Sequence, residues 1–232
     1  MLKPKKASKT QKSNVLNFDI KKIYPKTENQ QRVFDFYNAG KHLLLSGVPG
    51  SGKTFLASFF ALRDTIEAGL YNKIIIIRSS CPTREIGFLP GDVQEKMDVY
   101  LTPYRTIIND LFGRDDAFDI LHKKGIIETE STSFLRGITY SNCFIIADEV
   151  QNFSLHEFST VISRLGENSK IILCGDFQQS DLNPKKELSG ILDFAKIAGI
   201  MQEFEQVDFT VDDIVRSDIV KSFIIAKLQL DL

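Results

Sequence analysis

Short apolar runs alternate with longer segments of helical spacing along most of the chain. The runs at 42–46 (HLLLS), 73–78 (KIIIIR), 143–147 (CFIIA) and 170–174 (KIILC) are apolar at consecutive positions rather than at every second one. That pattern belongs to strands covered on both faces, as in a parallel sheet. Weaker runs at 126–130 and 207–209 extend the set. The segments between read as helices. One covers 27–40 through Val33, Phe34 and Phe36, and one covers 55–69 with Gly69 suited to the C-terminal cap. A long one after Asp92 carries Val93, Met97, Tyr100, Leu101 and Tyr104. Another runs from Ser154 or Leu155 to about Gly166, and a closing one covers 213–228. Pro and Gly punctuate loops at 79–92, 134–137 and 184–190. Strands alternating with helices predict an α/β domain with a parallel sheet and right-handed crossovers.

The chemistry gathers where strands of that sheet would end. After the 42–46 run comes Gly47-Val48-Pro49-Gly50-Ser51-Gly52-Lys53-Thr54, spelled G-x-x-x-x-G-K-[ST]. This is the phosphate-binding loop pattern. Its glycines let backbone N–H groups curl round a phosphate without a Cβ clash. Lys53 reaches the β- and γ-phosphates of a nucleoside triphosphate, the Thr54 hydroxyl holds Mg²⁺, and the helix that opens there favours an anion. The 143–147 run ends in Asp148 and Glu149. Ligands of a doubly wound sheet sit at the C-terminal strand ends. Asp148 is expected to bind Mg²⁺ through water, and Glu149 to polarise the attacking water. The 170–174 run continues as Gly175-Asp176-Phe177-Gln178-Gln179, where Gln179 is placed to contact the γ-phosphate and sense hydrolysis. Gln30, upstream of the loop, has two open readings. With Thr27 it fits a capping box. Its amide, both donor and acceptor, equally suits reading of an adenine edge.

Composition narrows the class. A chain of 232 residues with 43% hydrophobic content suits one α/β domain, or one domain with a small appendage. The net charge is −1, but residues 1–26 hold eight Lys against one Asp, leaving 21 basic and 29 acidic residues in the rest. Residues 1–14, rich in Lys, Ser, Thr and Gln, read as a basic disordered tail and 15–232 as the domain. A basic tail on an acidic body has two open readings, a site for a polyanion partner and a merely solvated terminus. Cys81, Cys143 and Cys174 lack metal-ligand or redox spacing. Cys143 and Cys174 lie in apolar runs and read as core thiols, which favours a reducing, cytoplasmic setting. No apolar run approaches the roughly 18 residues of a membrane span. The N-terminal lysines precede no apolar stretch of the signal-peptide kind. No internal repeat is present.

Together with the loop at 47–54, several stretches resemble the PhoH family of phosphate-starvation-inducible ATPases. They are Thr27-x-Asn29-Gln30; Gly87-Phe88-Leu89-Pro90-Gly91-Asp92 with Glu95-Lys96; Arg136-Gly137; Asp148-Glu149-x-Gln151-Asn152; Arg164-x-Gly166; Gly175-Asp176-x-x-Gln179-x-Asp181-Leu182; and Phe209-Thr210-x-x-Asp213-Ile214-Val215-Arg216. They keep family order from Thr27 to Ser217, and the G-F-L-P-G-D run is the most specific. The family is similar to the first motor domain of superfamily 1 helicases, whose G-D-x-x-Q motif looks like Gly175 to Gln179.

The resemblance implies a three-layer RecA-like P-loop NTPase fold with a mainly parallel sheet. It further implies Mg²⁺-dependent ATP hydrolysis, helicase-like coupling to RNA or single-stranded nucleic acid, and a homo-oligomeric ring with a hexamer favoured. A superfamily 1 motor completes its site with an arginine from a second motor domain, and this chain has length for one domain. Arg216, in the family's Val-Arg motif, is therefore the first candidate finger and Arg164 the second, supplied by a neighbouring subunit or within the chain. The chain departs from the family at Arg78-Ser79-Ser80, where members carry Arg-Pro, and at Pro82-Thr83-Arg84, in place of a small-plus-acidic run. These departures bear on nucleic-acid contacts by that loop, which Arg78 and Arg84 keep basic. The chain looks like a compact, phage-type member without the nuclease domain of some relatives. The alternatives are an ATP-dependent nucleic-acid binder without unwinding and a nucleotide or small-molecule kinase. Against the kinase stand Glu149, a base for water, and the lack of an Arg-rich lid segment. A GTP-dependent switch lacks its Asn-Lys-x-Asp tetrad.

Overall fold

A computed structural model describes residues 19–79, 93–135, 137–176 and 190–230. Its centre is a six-stranded, all-parallel sheet of order β3-β2-β4-β5-β1-β6. The strands are β1 His42–Gly47, β2 Lys73–Arg78, β3 Ile127–Ser131, β4 Cys143–Asp148, β5 Lys170–Cys174 and β6 Phe204–Phe209. The helices are α1 Glu28–Asn38, α2 Lys53–Leu62, α3 Val93–Phe112, α4 Ala117–Lys123, α5 Leu155–Ser163, α6 Ile191–Ala198 and α7 Asp218–Gln229.

Successive strand residues point to opposite faces. Leu43, Leu45, Ile74, Ile76, Phe144 and Ile146 join one core with residues of α1, α2, α3 and α4. Leu44, Ile75, Ile77, Ile145, Ala147 and Leu173 join a second core with α5 and α6. A strand that feeds two cores has to be apolar at every position, which is why the runs do not alternate. The result is the expected three-layer α/β architecture. Cys143 and Cys174 are buried free thiols, as expected of core positions.

The elements differ from the sequence reading in four places. β6 begins at Phe204, three residues before the short run at 207–209, because it pairs with β1 all the way from His42 to Gly47. As an edge strand it reads F-E-Q-V-D-F, and its polar residues hide its apolar signal. The short helices α4 and α6 were not expected. Each carries only a few core residues, such as Phe118 and Leu121 in α4 and Ile191 and Phe194 in α6. The closing helix starts at Asp218 rather than Asp213. Thr210 and Asp213 form a capping box around a 3-10 turn at Val211–Asp213, and Ile214 beyond it is extended. The expected strand at 126–130 is β3, one residue later, and the helix after Ser154 opens on a Ser154–Glu157 capping box.

Parallel strands bring their C-terminal ends to one edge, so Gly47, Arg78, Asp148 and Cys174 end together. The opposite edge holds a buried polar group. There His42 Nδ1 accepts a hydrogen bond from the Ile171 N–H at 3.2 Å. Lys170 Nζ donates to the Gly40 and Lys41 carbonyls at 2.8 and 2.9 Å. Burial, helped by the Lys170 charge and opposed by Glu203, pushes the His42 pKa down to about 4 from 6.5. Between those values the unfolded chain binds the extra proton, so stability falls as pH falls through that window. Discounted for partial exposure, the slope is about 1 kcal/mol per pH unit. His42→Gln retains an acceptor for Ile171 and removes the titration. Denaturant melts of the wild type are expected to lose stability between about pH 6.5 and about 4 more steeply than those of His42→Gln. Parallel pH slopes for the two proteins would refute this assignment.

Candidate active site

The phosphate loop is shaped by its surroundings as much as by its glycines. A Cβ on Gly47 would stand 2.0 Å from the Phe209 carbonyl oxygen, and φ there is 112°, so β6 leaves room for glycine alone. Gly50 and Gly52 supply further left-handed turns, at φ 79° and 91°. The loop carbonyls face protein donors. Lys53 Nζ donates to the Gly47 and Val48 oxygens at 2.7 and 2.8 Å. Val215 N donates to the Gly50 oxygen at 3.1 Å. Gln30 Nε2 donates to the Ser51 oxygen at 3.0 Å, and Ser51 Oγ to the Val48 oxygen at 3.0 Å. With these carbonyls taken up by protein donors, the loop has the build of one whose backbone amides serve an anion. α2 opens there, at Lys53, and adds its N-terminal dipole. Val48 is buried and Pro49 exposed at the tip.

Asp148 lies beside this loop. Thr54 Oγ1 donates to Asp148 Oδ1 at 3.1 Å, and Tyr104 of α3 donates its hydroxyl to Asp148 Oδ2 at 2.7 Å. The residue is 7% exposed, so these donors serve a carboxylate with little water. Burial raises the Asp148 pKa above the usual carboxylate range, and Glu149 adds to it. The Tyr104 and Thr54 hydrogen bonds and the Arg78 charge oppose that rise. Burial also lowers the Lys53 pKa, against the pull of Asp176, Asp148 and Glu149. The Tyr104 hydroxyl is pushed well up, again mainly by burial, and stays a donor.

Glu149 sits just past β4 at φ 54°, an uncommon conformation for a residue with a side chain. The turn takes its carboxylate out of the strand, where the side chain is 46% exposed. Gln151 Nε2 donates to Glu149 Oε2 at 2.6 Å, while Gln151 Oε1 accepts from Asp176 N at 3.1 Å. Arg78 Nη2, at the end of β2, stands 3.7 Å from Glu149 Oε1. The ends of β2, β4 and the segment after β5 thus converge on one carboxylate.

The structure brings Lys53, Thr54, Asp148 and Glu149 together, with Gln30 at the loop's flank. Thr27 Oγ1 accepts from Gln30 N at 3.2 Å, the backbone half of the capping box. The Gln30 side chain, 4% exposed, instead joins Lys26 N at 2.9 Å to the Ser51 carbonyl. Arg216 lies against the phosphate loop of its own chain, since a Cβ on Gly50 would be 3.0 Å from Arg216 Cγ. Arg164 lies at the far end of the sheet, with its carbonyl accepting from Tyr140 N at 2.8 Å ahead of β4. Gln179, Arg136, Cys81, the G-F-L-P-G-D run at 87–92 and the tail at 1–14 lie outside the described residues.

Sequence reasoning missed the site contacts of Tyr104, Gln151 and Arg78. Gln151 was visible in the D-E-x-Q-N stretch. Tyr104 was legible only as a core position of a helix, and nothing local announces that its hydroxyl reaches Asp148.

The donor set fits a magnesium nucleotide. Among the described residues no group of three or more His, Cys, Asp and Glu side chains is placed to hold a metal. One carboxylate plus a threonine hydroxyl beside a phosphate cradle is instead the sparse set that Mg²⁺ uses when it shares phosphates and keeps waters. A parallel sheet with one strand between the phosphate-loop strand and the acid strand defines a RecA-like P-loop protein. The chain belongs to the PhoH family, whose model, described as PhoH-like protein, matches residues 22–227. It is 32% identical over 225 residues to a PhoH-like protein of Mycobacterium leprae, covering 94% of this chain and 64% of that one. It is 35% identical over 179 residues to a PhoH-like protein of Bacillus subtilis, covering 77% and 55%. With Protein PhoH of Escherichia coli it shares 30% identity over 207 residues, covering 86% and 56%. The chain therefore spans between 55% and 64% of the length of these relatives. A crystal structure of Pif1 helicase from Candida albicans matches at 17% identity and a TM-score of 0.38, over 81% of this chain and 40% of that one. Among the described residues no helix is long and apolar enough to cross a membrane.

Gly47 and Gly40 give a paired test of the loop's packing. Both have positive φ, but an added Cβ at Gly40 meets nothing within 4 Å. Gly40→Ala is expected to cost about 1 kcal/mol and Gly47→Ala about 3 kcal/mol or more, read from denaturant unfolding. Equal costs would mean that β6 does not constrain the loop.

Proposed function

We propose that this chain is a Mg²⁺-dependent ATPase whose cycle acts on RNA or single-stranded nucleic acid in a helicase-like manner. In this reading it is a cytoplasmic protein, residues 15–232 form one motor domain, and copies assemble head to tail into a ring, with a hexamer favoured. The observation that carries hydrolysis is the 3.1 Å contact of Thr54 with Asp148, with Glu149 next in the chain. Family membership and the basic balance of residues 1–26 support the nucleic-acid partner.

In the proposed mechanism Lys53 leaves the loop carbonyls for the terminal phosphate and follows its charge into the transition state. Thr54 and Asp148 would hold Mg²⁺, which when bound neutralises the β- and γ-phosphate oxygens. Glu149 Oε1, too far from Arg78 for a hydrogen bond, accepts the proton of water. The water oxygen bonds to the γ-phosphorus as the bond to the ADP oxygen breaks, giving ADP and phosphate. Gln151 holds the other Glu149 oxygen and fixes its aim. Gln30 is proposed to read the adenine edge with the amide capacity its two protein bonds leave. Gln179 is proposed to meet the γ-phosphate. Arg216 is the proposed finger, and its place beside its own loop supports action in cis.

The deciding experiment measures phosphate release with RNA, with single-stranded DNA and with no polymer. Stimulation by a polymer is expected; a phosphorylated small molecule in place of free phosphate would instead favour the kinase. Lys53→Ala is expected to abolish turnover. Glu149→Gln should bind nucleotide normally and lose about 10²- to 10⁴-fold in turnover, since an amide cannot take a proton from water. Asp148→Asn should weaken Mg²⁺-dependent binding, read by fluorescent-nucleotide titration. Equal loss of binding in both acid variants would overturn this division of roles.

A further inference from the structure

Leu101, Tyr104, Ile108 and Leu111 form one buried stripe along α3, at spacings of three, four and three residues. All four belong to the core that α3 shares with α2. Three of them are aliphatic, as a helix face turned to a core requires. The fourth brings a hydroxyl to a place that is 1% exposed. A Leu or Phe would fill that place with no polar atom to satisfy. The Tyr104 hydroxyl instead donates to Asp148 Oδ2 at 2.7 Å, so the ring packs with the stripe while its tip reaches the acid.

A carboxylate needs such a bond to keep its aim. The terminal torsion of an Asp side chain is broad, so packing alone does not fix the plane of the two oxygens. A donor on each oxygen does. Thr54 Oγ1 serves Oδ1 at 3.1 Å and Tyr104 serves Oδ2. The two donors differ in place. Thr54 stands in the first turn of α2, where its own hydroxyl is read as a metal ligand. Tyr104 reaches the acid from within the core.

We propose that Tyr104 is a positioning residue of the metal site: its hydroxyl holds Asp148 Oδ2 so that Oδ1, the oxygen beside Thr54, is presented to Mg²⁺. A group that hydrogen-bonds a metal ligand sets metal affinity by fixing how that ligand is turned. α3 thereby belongs to the metal site, although it carries no part of the phosphate-loop motif. The proposal rests on the Mg²⁺-nucleotide reading above and adds to it the residue that aims the acid.

The test titrates Mg²⁺ against binding of a fluorescent ATP analogue, with binding in EDTA measured alongside. Neither readout needs hydrolysis. Tyr104→Phe keeps the ring and removes the hydroxyl. It is expected to bind the analogue in EDTA as the wild type does, which also shows that it is folded. It should need about 10- to 100-fold more Mg²⁺ for the half-maximal effect. Ile108→Val removes a methylene from the same stripe and leaves the hydroxyl. It is expected to melt earlier with the wild-type Mg²⁺ midpoint, which separates aim from packing. In an Asp148→Asn background, Tyr104→Phe is expected to add no further shift, because the two act through one contact. A wild type that needs Mg²⁺ beside a Tyr104→Phe protein with the same midpoint would overturn the proposal and leave the reading above standing. Equal loss of binding in EDTA and in Mg²⁺ would make Tyr104 a support of the fold alone and overturn it too. So would an Ile108→Val midpoint shifted as far as that of Tyr104→Phe. A wild type indifferent to Mg²⁺ would overturn both this proposal and the metal part of the reading on which it rests.

Discussion

The site depends on spanning two strand widths. β5 lies between β1 and β4, and parallel strands are about 4.8 Å apart, so the phosphate-loop and acid strands run about 10 Å apart. Thr54 meets Asp148 only because the chain leaving β1 arches over the end of β5 before α2 begins. The glycine turns make that arch, and its neighbours hold it. Phe209 closes against Gly47 on one side, while Val215 and Gln30 bond to its outer carbonyls on another. β6 and the segment after it are therefore part of the phosphate site, although neither carries the motif.

A buried carboxylate needs donors, because an unpaired charge with little water is costly. Asp148 draws its two from different elements, Thr54 at the start of α2 and Tyr104 within α3. Each holds one oxygen. Glu149 differs in kind: it is more exposed, turned out of the strand, and fixed through one oxygen by Gln151. Two adjacent acids thus meet opposite environments, one buried and held by two donors, the other exposed and fixed through one oxygen.

Most of the sheet was legible because burial on both faces forces consecutive apolar residues, and β1, β2, β4 and β5 all show that signature. β6 was half-legible, since an edge strand with polar residues on it loses the run. α4 and α6 were missed because helices this short carry too few core positions to set a period. The loop, Asp148 and Glu149 were legible because their chemistry is local in sequence. Tyr104 and Arg78 were not, since their contacts with the acids depend on how α3 and β2 pack. Gln30 shows a subtler limit. Its position suggested a choice between capping and a place at the site, whereas its backbone serves the cap and its side chain reaches the loop.

The late start of α7 follows from the same bracing. Had the helix begun at Asp213, residues 214–216 would have been coiled into it and unable to lie along the loop. Asp213 instead closes the Thr210 box and accepts from Asn29 Nδ2 at 2.8 Å, tying α1 to the turn after β6. Val215 then bonds to Gly50, Arg216 packs on it, and α7 begins two residues later at Asp218. So short a link leaves little slack between α7 and the phosphate loop. Anything that seats or shifts α7 bears on Gly50 through the Val215 hydrogen bond. The place of Arg216 at the loop and the seat of α7 are thus coupled by covalent connection within one chain.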